Sequence, residues 1–425
     1  MERSELISEA RPATASVWRN RDFVRLWVAL TVSYLGDFFS LFAIPLLVFT
    51  ITDSALQTGL TLALGTVPYV VMSPFAGVLI DRVDRRRIMI CTRVIEMLLI
   101  GSIPLVSAFG WLTLGHIYAV GFLSGCAAVV FGAATLSAVP NLVTTEHLVP
   151  ANALQQTSLS VCSLVGPPLA GVVVAATGDA VTALAVDAVS FLIAAVLLAM
   201  IRRPMQAERE GAAAQGLFAD MAEGFRYVWA HRLVRTIALV LFMFNLMLGG
   251  VVGQLVVYGS RVLDLDTVSL SLLFAAEGAG TIVGAVIASQ IGRRWPLGQI
   301  VLVVLPINAV SVVGLALAPN LAVAFTAMAA LGAASTVLFV NLLALRQQIV
   351  PDRLQGRVNA TARAVAVGGA PIGALLAGAL VGPLGSLRWV FLFLAGLAML
   401  NALLACFTPL RERSLASADD PRMTR

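Results

Sequence analysis

The sequence contains no lysine. All 28 of its basic residues are arginine, in a chain of 425. That excludes a phosphate-binding loop of the Gly-Lys-Ser/Thr kind and any Schiff-base chemistry, since both need a lysine amine. Histidine is nearly as scarce. His116, His147 and His231 are the only three, and each falls at the end of an apolar run or between runs. The four cysteines, Cys91, Cys126, Cys162 and Cys406, are scattered through apolar segments without a CxxC pair. They read as small core residues, not as a disulfide framework. There is no HExxH, no GxSxG and no clustered His/Cys set, so no metal centre and no cofactor is expected, and an enzyme is disfavoured. Charge is also in short supply. Charged residues make up 12% of the chain, against about a quarter in a soluble globular protein.

What is plentiful is hydrocarbon. Hydrophobic residues are 59% of the chain and the mean hydropathy is +0.92. Apolar stretches recur along the whole length, each about the 20 residues that a helix needs to cross a bilayer. A membrane barrel would need alternating strands of about ten residues, and these runs are longer and continuous. The first 22 residues are polar and the first apolar run is long enough to span, so no cleavable signal peptide is expected. Twelve helical spans are predicted, at 24–50, 57–80, 88–109, 113–139, 151–176, 180–201, 236–258, 268–291, 298–318, 321–345, 359–381 and 387–408. The fold class is therefore an all-α membrane protein.

Most connections are short. The exception lies between spans six and seven. It opens with the polar, Ala/Gly-rich RRPMQAEREGAAAQG and continues as LFADMAEGFRYVWAHRLVR. Leu217, Met221, Phe225, Val228 and Trp229 fall near helical spacing, opposite Asp220, Glu223, Arg226 and Arg232, which predicts an amphipathic helix lying on the membrane surface. The expected organisation is a cytoplasmic segment over 1–23, a six-helix half over 24–201, a cytoplasmic linker over 202–235, a second half over 236–408 and a cytoplasmic tail over 409–425.

With the N-terminus inside, 26 of the 28 arginines fall in cytoplasmic segments or their flanks, and only Arg261 and Arg388 lie elsewhere. The excess of basic residues on one side predicts this orientation, with both termini cytoplasmic. The net charge of +5 is thus mainly topogenic, and no nucleic-acid partner is expected.

The chain also resembles itself. GVLIDRVDRRR (77–87) aligns with GAVIASQIGRR (284–294) at an offset of 207, VGPPLAG (165–171) with GGAPIGA (368–374) at 203, and TEHL (145–148) with PDRL (351–354) at 206. Three matches at nearly one offset predict two pseudo-symmetric six-helix halves, a known transporter plan.

Twelve spans, two halves, a long middle loop and the Gly-x-x-x-Asp-Arg-x-x-Arg-Arg loop after span two together resemble the major facilitator superfamily. Three further features are similar to its drug-efflux branch, which includes macrolide exporters and the enterobactin exporter. They are an Asp within YLGDFFSLFAIPLLVF of span one, ANAL before a Gly-Pro-rich span five, and PDRLQGRV before span eleven. The resemblance covers nearly the whole chain. It implies secondary active export of hydrophobic or amphipathic small molecules, such as macrolide-like antibiotics, by proton antiport in a bacterial plasma membrane. The partners implied are the lipid bilayer, a small-molecule substrate and protons, with a monomer as the working unit. The alternatives are a dedicated exporter of a siderophore or endogenous natural product, and a non-transporting membrane receptor or scaffold.

The resemblance also implies roles for particular residues. Gly77, Asp81, Arg82, Arg85 and Arg86 match a conformational-switch loop whose acid stabilises the outward-open state, although Asp84 stands where the family usually has Gly. Gly166, Pro167 and Gly171 match in part an antiporter-type motif on span five. The family's cavity is formed largely by spans one, four, seven and ten. Here these offer Tyr34, Phe38, Phe131, Phe244, Asn245, Met247, Phe339 and Asn341 as substrate contacts.

Ionisable residues inside spans are costly and by default face the protein interior. Five charged residues lie more than four residues in from the end of a span: Asp37, Arg93, Glu96, Asp187 and Glu277. Asp37 and Glu277 lie near the middle of spans one and eight and are the proton-coupling candidates. Arg93 and Glu96, three apart on one helix face, read as a structural ion pair. Asp187 is expected to bind backbone groups of a neighbouring span.

Overall fold

Inside hydrocarbon each backbone N–H and C=O must be satisfied within the protein, and a helix does this within its own segment. The structure, a computed structural model, describes residues 17–206, 217–292, 295–351 and 354–411. The N-terminal half contains α1 (Arg21–Thr52), α2 (Ala55–Val71), α3 (Ser73–Arg82), α4 (Arg85–Ala108), α5 (Leu114–Leu142), α6 (Leu148–Thr177) and α7 (Ala180–Ala199). A surface helix, α8 (Leu217–Ala230), precedes the second half. That half contains α9 (Arg232–Arg261), α10 (Thr267–Ile291), α11 (Leu297–Ala316), α12 (Leu321–Ile349), α13 (Gln355–Val367), α14 (Gly369–Leu384) and α15 (Leu387–Cys406). Eleven helical stretches among the described residues are long and apolar enough to cross a membrane, with α13 and α14 forming one of them. The shorter apolar α2, continued by α3, makes the twelfth span.

Two spans are jointed where single helices were expected. The predicted 57–80 span is interrupted at Met72 and the predicted 359–381 span at Gly368. A proline follows each joint within three residues. Pro74 and Pro371 have no N–H to give to Val70 and Val367, the carbonyls one turn back. Both junction residues keep dihedrals in the right-handed helical region, so the chain continues in nearly the same direction.

The twofold repeat is visible in the helix ends. Thr113 and Asn320 cap α5 and α12 with side-chain oxygens, and they are 207 positions apart. Gly178 and Gly385 end α6 and α14 at the same separation, with φ of 74° and 70°, the left-handed region that glycine enters freely. Asp179 and Ser386 then cap α7 and α15, again 207 apart.

Within the first half α1 packs on α6 and α7, and α4 on α5 and α7. Within the second, α9 packs on α14, α10 on α12, and α11 on α12 and α15. The halves meet mainly where α6 lies on α10 and α2 on α14.

The arginine-rich loop after span two is braced inside the first half. Asp84 caps α4 by accepting from the Arg87 N–H at 2.9 Å, which is how the turn is made without the family's glycine. Arg85 donates to the Ser137 carbonyl of α5 at 2.8 Å, and Arg86 to the last carbonyls of α7, Leu198 and Ala199. A cation is well placed against the negative end of a helix. The chain leaving α7 is fastened to the start of α1. Arg25 donates to the Met200 carbonyl at 2.9 Å, and Asp22 accepts from the Arg203 N–H at 3.1 Å.

The amphipathic segment forms α8, which rests on α13. Gly224 has no side chain to keep it off the Arg357 carbonyl, and Glu223 pairs with Arg357. Val228 is buried there, while Phe225 and Trp229 stack at 5.2 Å and stay exposed. The side chains of Leu217, Asp220 and Met221 lie outside the described residues.

Candidate functional site

At the middle of span one the sequence reads Gly36–Asp37. A Cβ on Gly36 would stand 2.9 Å from the Ser190 Cβ, and nearer still to the Ser190 hydroxyl and the Asp187 carboxylate. The missing side chain therefore lets α1 close onto α7. That approach carries Ser40 of α1 to Asp187 of α7, where it donates to one carboxylate oxygen; Ser190 donates to the other at 3.2 Å. Asp187 is fully buried and is satisfied by hydroxyls, not by the backbone groups expected from sequence.

Arg93 enters from α4. Its Nη1 stands 2.9 Å from Glu96 Oε2 and 4.0 Å from Asp37 Oδ1. The guanidinium lies over the Phe131 ring at 3.4 Å and 5.1 Å from the Phe191 ring. Aromatic faces attract a desolvated cation and so help to keep this charge inside the bundle. Arg93 and Glu96 are buried, whereas the Asp37 side chain is 42% exposed. Asp37, Glu96 and Asp187 all line one cavity of about 350 Å³ inside the first half, with Thr61, Tyr69 and Tyr118 on its walls. The group holds three carboxylates and one guanidinium, with Asp37 and Glu96 beside Arg93 and Asp187 held by the two serines. Fully ionised, the group would carry a surplus of two negative charges at a depth where unpaired charge is costly. The cluster can be neutral only if it holds protons.

Glu277 lies elsewhere. It lines a cavity of about 320 Å³ between the halves, with Phe38 and Leu41 of α1, Gln156, Ser160, Ser163 and Pro167 of α6, and Thr281 of its own helix. Leu41 borders both cavities, so span one is the partition between them.

The other sequence candidates are placed as follows. Tyr34 is half-buried one turn before Asp37, and Phe131 is buried beneath Arg93. Phe244 and Met247 are buried in the core, and Phe339 is exposed. Asn245 and Asn341 donate to carbonyls one turn back on their own helices, Leu241 and Val337, at 2.8 and 2.7 Å. These second-half residues border neither cavity. Gly166 touches Phe38, because a Cβ there would stand 2.6 Å from the Phe38 Cβ. Gly171 lets α6 reach Ser271 of α10. Gly77 and Arg82 are exposed, and the Asp81 side chain is outside the described residues. The sequence reading passed over Gly36, Ser40 and Ser190. The signal was present in a glycine beside the mid-span acid and a serine three residues after Asp187.

The two ends of the bundle differ. At the end poor in arginine, Arg261 of α9 pairs with Asp53 at 2.7 Å and Gln254 donates to the Ala55 carbonyl at 3.0 Å. A Cβ on Gly59 would stand within 2.7 Å of Gln254 and closer to the Ala374 carbonyl, and one on Gly378 would stand 2.8 Å from the Ala55 carbonyl. Gly278 meets Ser163 at mid-depth. Among the described residues, contacts between halves at the arginine-rich end are sparser, where α13 meets α2 and α3.

Comparison with known proteins follows the same lines. The family model described as transmembrane secretion effector matches residues 13–423. The multidrug efflux pump Tap of Mycolicibacterium fortuitum is 25% identical over 412 residues, 92% of this chain and 97% of Tap. The enterobactin exporter EntS of Salmonella choleraesuis is 28% identical over 347 residues, 80% of each chain. Among solved structures, an inward-facing, unoccupied bacterial homologue of the human lysosomal transporter Spinster aligns with a TM-score of 0.69 at 16% identity, over 95% of this chain and 99% of that one. The nucleoside transporter NupG aligns with a TM-score of 0.73 at 11% identity, over 92% and 100%. The twelve-span bundle, its twofold repeat and a family match running almost from end to end agree: this chain belongs to the transmembrane secretion effector family of the major facilitator superfamily, and it is a membrane transporter, not an enzyme.

Proposed function

We propose that the chain is a proton-coupled exporter of hydrophobic or amphipathic small molecules, working as a monomer in a bacterial plasma membrane. The observation that carries this reading is the first-half cluster, with three carboxylates around one mid-membrane cavity, two of them beside Arg93, and Asp37 at its accessible edge. A group that must hold protons to be neutral, and that opens onto a space solvent can enter, is able to exchange them. The mostly apolar walls suit apolar cargo. Relatives named as a multidrug efflux pump and as an enterobactin exporter point the same way on direction. An anionic siderophore is the less favoured cargo, because both cavities present carboxylates and neither is lined by a basic side chain.

Export then proceeds by alternating access. The halves are fastened at the arginine-poor end, so the conformation described corresponds to one open toward the arginine-rich side. That side is cytoplasmic if the arginines set topology. A cysteine at Ser386 is then labelled by an impermeant maleimide in intact cells, and one at Gln206 only after permeabilisation. The reverse pattern would overturn every sidedness statement here.

Asp37→Asn imitates the protonated acid permanently. Coupling requires that proton and cargo favour different states or compete for one. The variant is expected to lose uphill, proton-driven efflux from proteoliposomes while still exchanging cargo downhill. If Asp37→Asn concentrates cargo against a gradient, Asp37 is not the coupling residue.

A further inference from the structure

The cavity around Glu277 differs from the Asp37 cavity in one respect that decides its chemistry. Asp37 has Arg93 at 4.0 Å. Among the described residues, no basic side chain lines the Glu277 cavity and none donates a hydrogen bond or an ion pair to its carboxylate. Its surroundings are polar but neutral, with the hydroxyls of Ser160, Ser163 and Thr281 and the amide of Gln156. Phe38 and Phe274 supply aromatic faces.

The backbone beneath Glu277 is held from two sides. A Cβ on Gly332 of α12 would stand 3.1 and 3.2 Å from the Glu277 C and Cα atoms, so α12 lies directly against it. One residue on, a Cβ on Gly278 would stand 2.7 Å from the Ser163 carbonyl of α6. The carboxylate thus projects from a rigid seat into a space shared by both halves. Glu277 is half-buried, and an ionised acid at the middle of a span lacks a counter-charge there. A second cation of the protein is not within the cavity to provide it. A ligand that carries a positive charge does provide it, and aromatic rings beside the acid favour the same ligand.

We propose that Glu277 is the seat for the cationic group of the cargo, so that this transporter recognises lipophilic organic cations, with a protonated or quaternary amine at Glu277 and the apolar body against Phe38 and Phe274. This rests on the exporter reading above and sharpens it. The cavity of about 320 Å³ is at the small end of the usual range for ligand pockets, about 300–1,000 Å³. The seat is therefore for the charged end of a molecule whose remainder extends along the gap between the halves. Span one separates this seat from the proton-holding cluster, and Leu41 is the residue that touches both cavities.

The test is equilibrium binding of radiolabelled tetraphenylphosphonium to the full-length protein in nanodiscs. This permanent cation cannot exchange protons, so it reports charge recognition alone. Glu277→Gln is expected to weaken binding by about tenfold or more, the scale of losing one partner of a desolvated charge pair. Glu277→Asp should restore most of it, and Asp264→Asn, on an exposed turn, should leave it unchanged. Size-exclusion profile and melting temperature establish that each variant is folded. Equal binding by wild type and Glu277→Gln overturns the proposal, as does a wild type that binds no tetraphenylphosphonium. Because binding is read without transport, the two readings fail separately. Cation binding at Glu277 in a protein that exports nothing removes the exporter reading and keeps the seat. Proton-driven export with tetraphenylphosphonium binding indifferent to Glu277 does the opposite.

Discussion

The two halves of this transporter share their helix ends and differ in their charges. At the separation of 207 that relates the capping residues, Arg93, Glu96 and Asp187 fall on Ile300, Val303 and Leu394. Ile300 and Leu394 are buried, and Val303 lies on an exposed face. In the other direction, Glu277 falls on Val70. A twofold fold has thus kept its turns and lost its symmetry at each mid-membrane charge. Caps and turns are needed wherever a helix ends, so both halves retain them. A mid-membrane charge is expensive and persists only where it has a use. The clustered mid-membrane charges thus belong to the first half, and the second half carries the single acid Glu277.

Making the first half resemble the second tests that difference. The largest effect on stability should come from Glu96→Val alone. It leaves the buried Arg93 guanidinium, which cannot give up its proton, without its nearest partner. Removing one member of a buried pair costs about 3–5 kcal/mol. The double variant Arg93→Ile/Glu96→Val copies the second half and should regain most of that loss, since hydrocarbon often replaces a buried pair without penalty. Unfolding in detergent, followed by the melting temperature, reads both. A single variant as stable as wild type would show that the pair does not hold the bundle. A double variant no better than the single would show that the halves are not interchangeable here.

A smaller effect probes the symmetric features. Thr113→Ala and Asn320→Ala each remove one N-cap hydrogen bond at equivalent helix starts, a loss of about 1 kcal/mol. The two should cost the same within error in the same unfolding measurement. A marked inequality would mean that one half depends on its cap and the other does not, and would weaken the equivalence drawn from the offset.

Most of the fold could be read from the sequence because apolar runs and arginine placement are linear signals. Span length follows from bilayer thickness, and the repeat follows from motif spacing. The joints at Met72 and Gly368 were missed because a proline near the middle of a long apolar run leaves hydropathy unchanged. The site was legible residue by residue and not as a cluster. Asp37, Arg93, Glu96 and Asp187 each stood out as an ion in an oily span. That the three acids gather at one cavity, with Arg93 beside two of them, depends on Gly36 letting α1 reach α7, a tertiary fact with no periodic signature. The placement of Glu277 in a different cavity was equally hidden, because two mid-span acids look alike in one dimension.

The joints in spans two and eleven have a mechanical consequence. These are the spans whose pieces at the arginine-poor end, α2 and α14, form one of the two main contacts between the halves. A pair of rigid rods pivoting at mid-length must part at one end as it closes at the other. Rods with a soft joint at the middle are not so bound. Bending at Met72 and Gly368, where a proline has already removed one backbone hydrogen bond from each helix, lets α3 and α13 swing together while α2 and α14 stay clasped. Such bending would allow a form shut at both ends, in which an ion has no continuous path across the bundle.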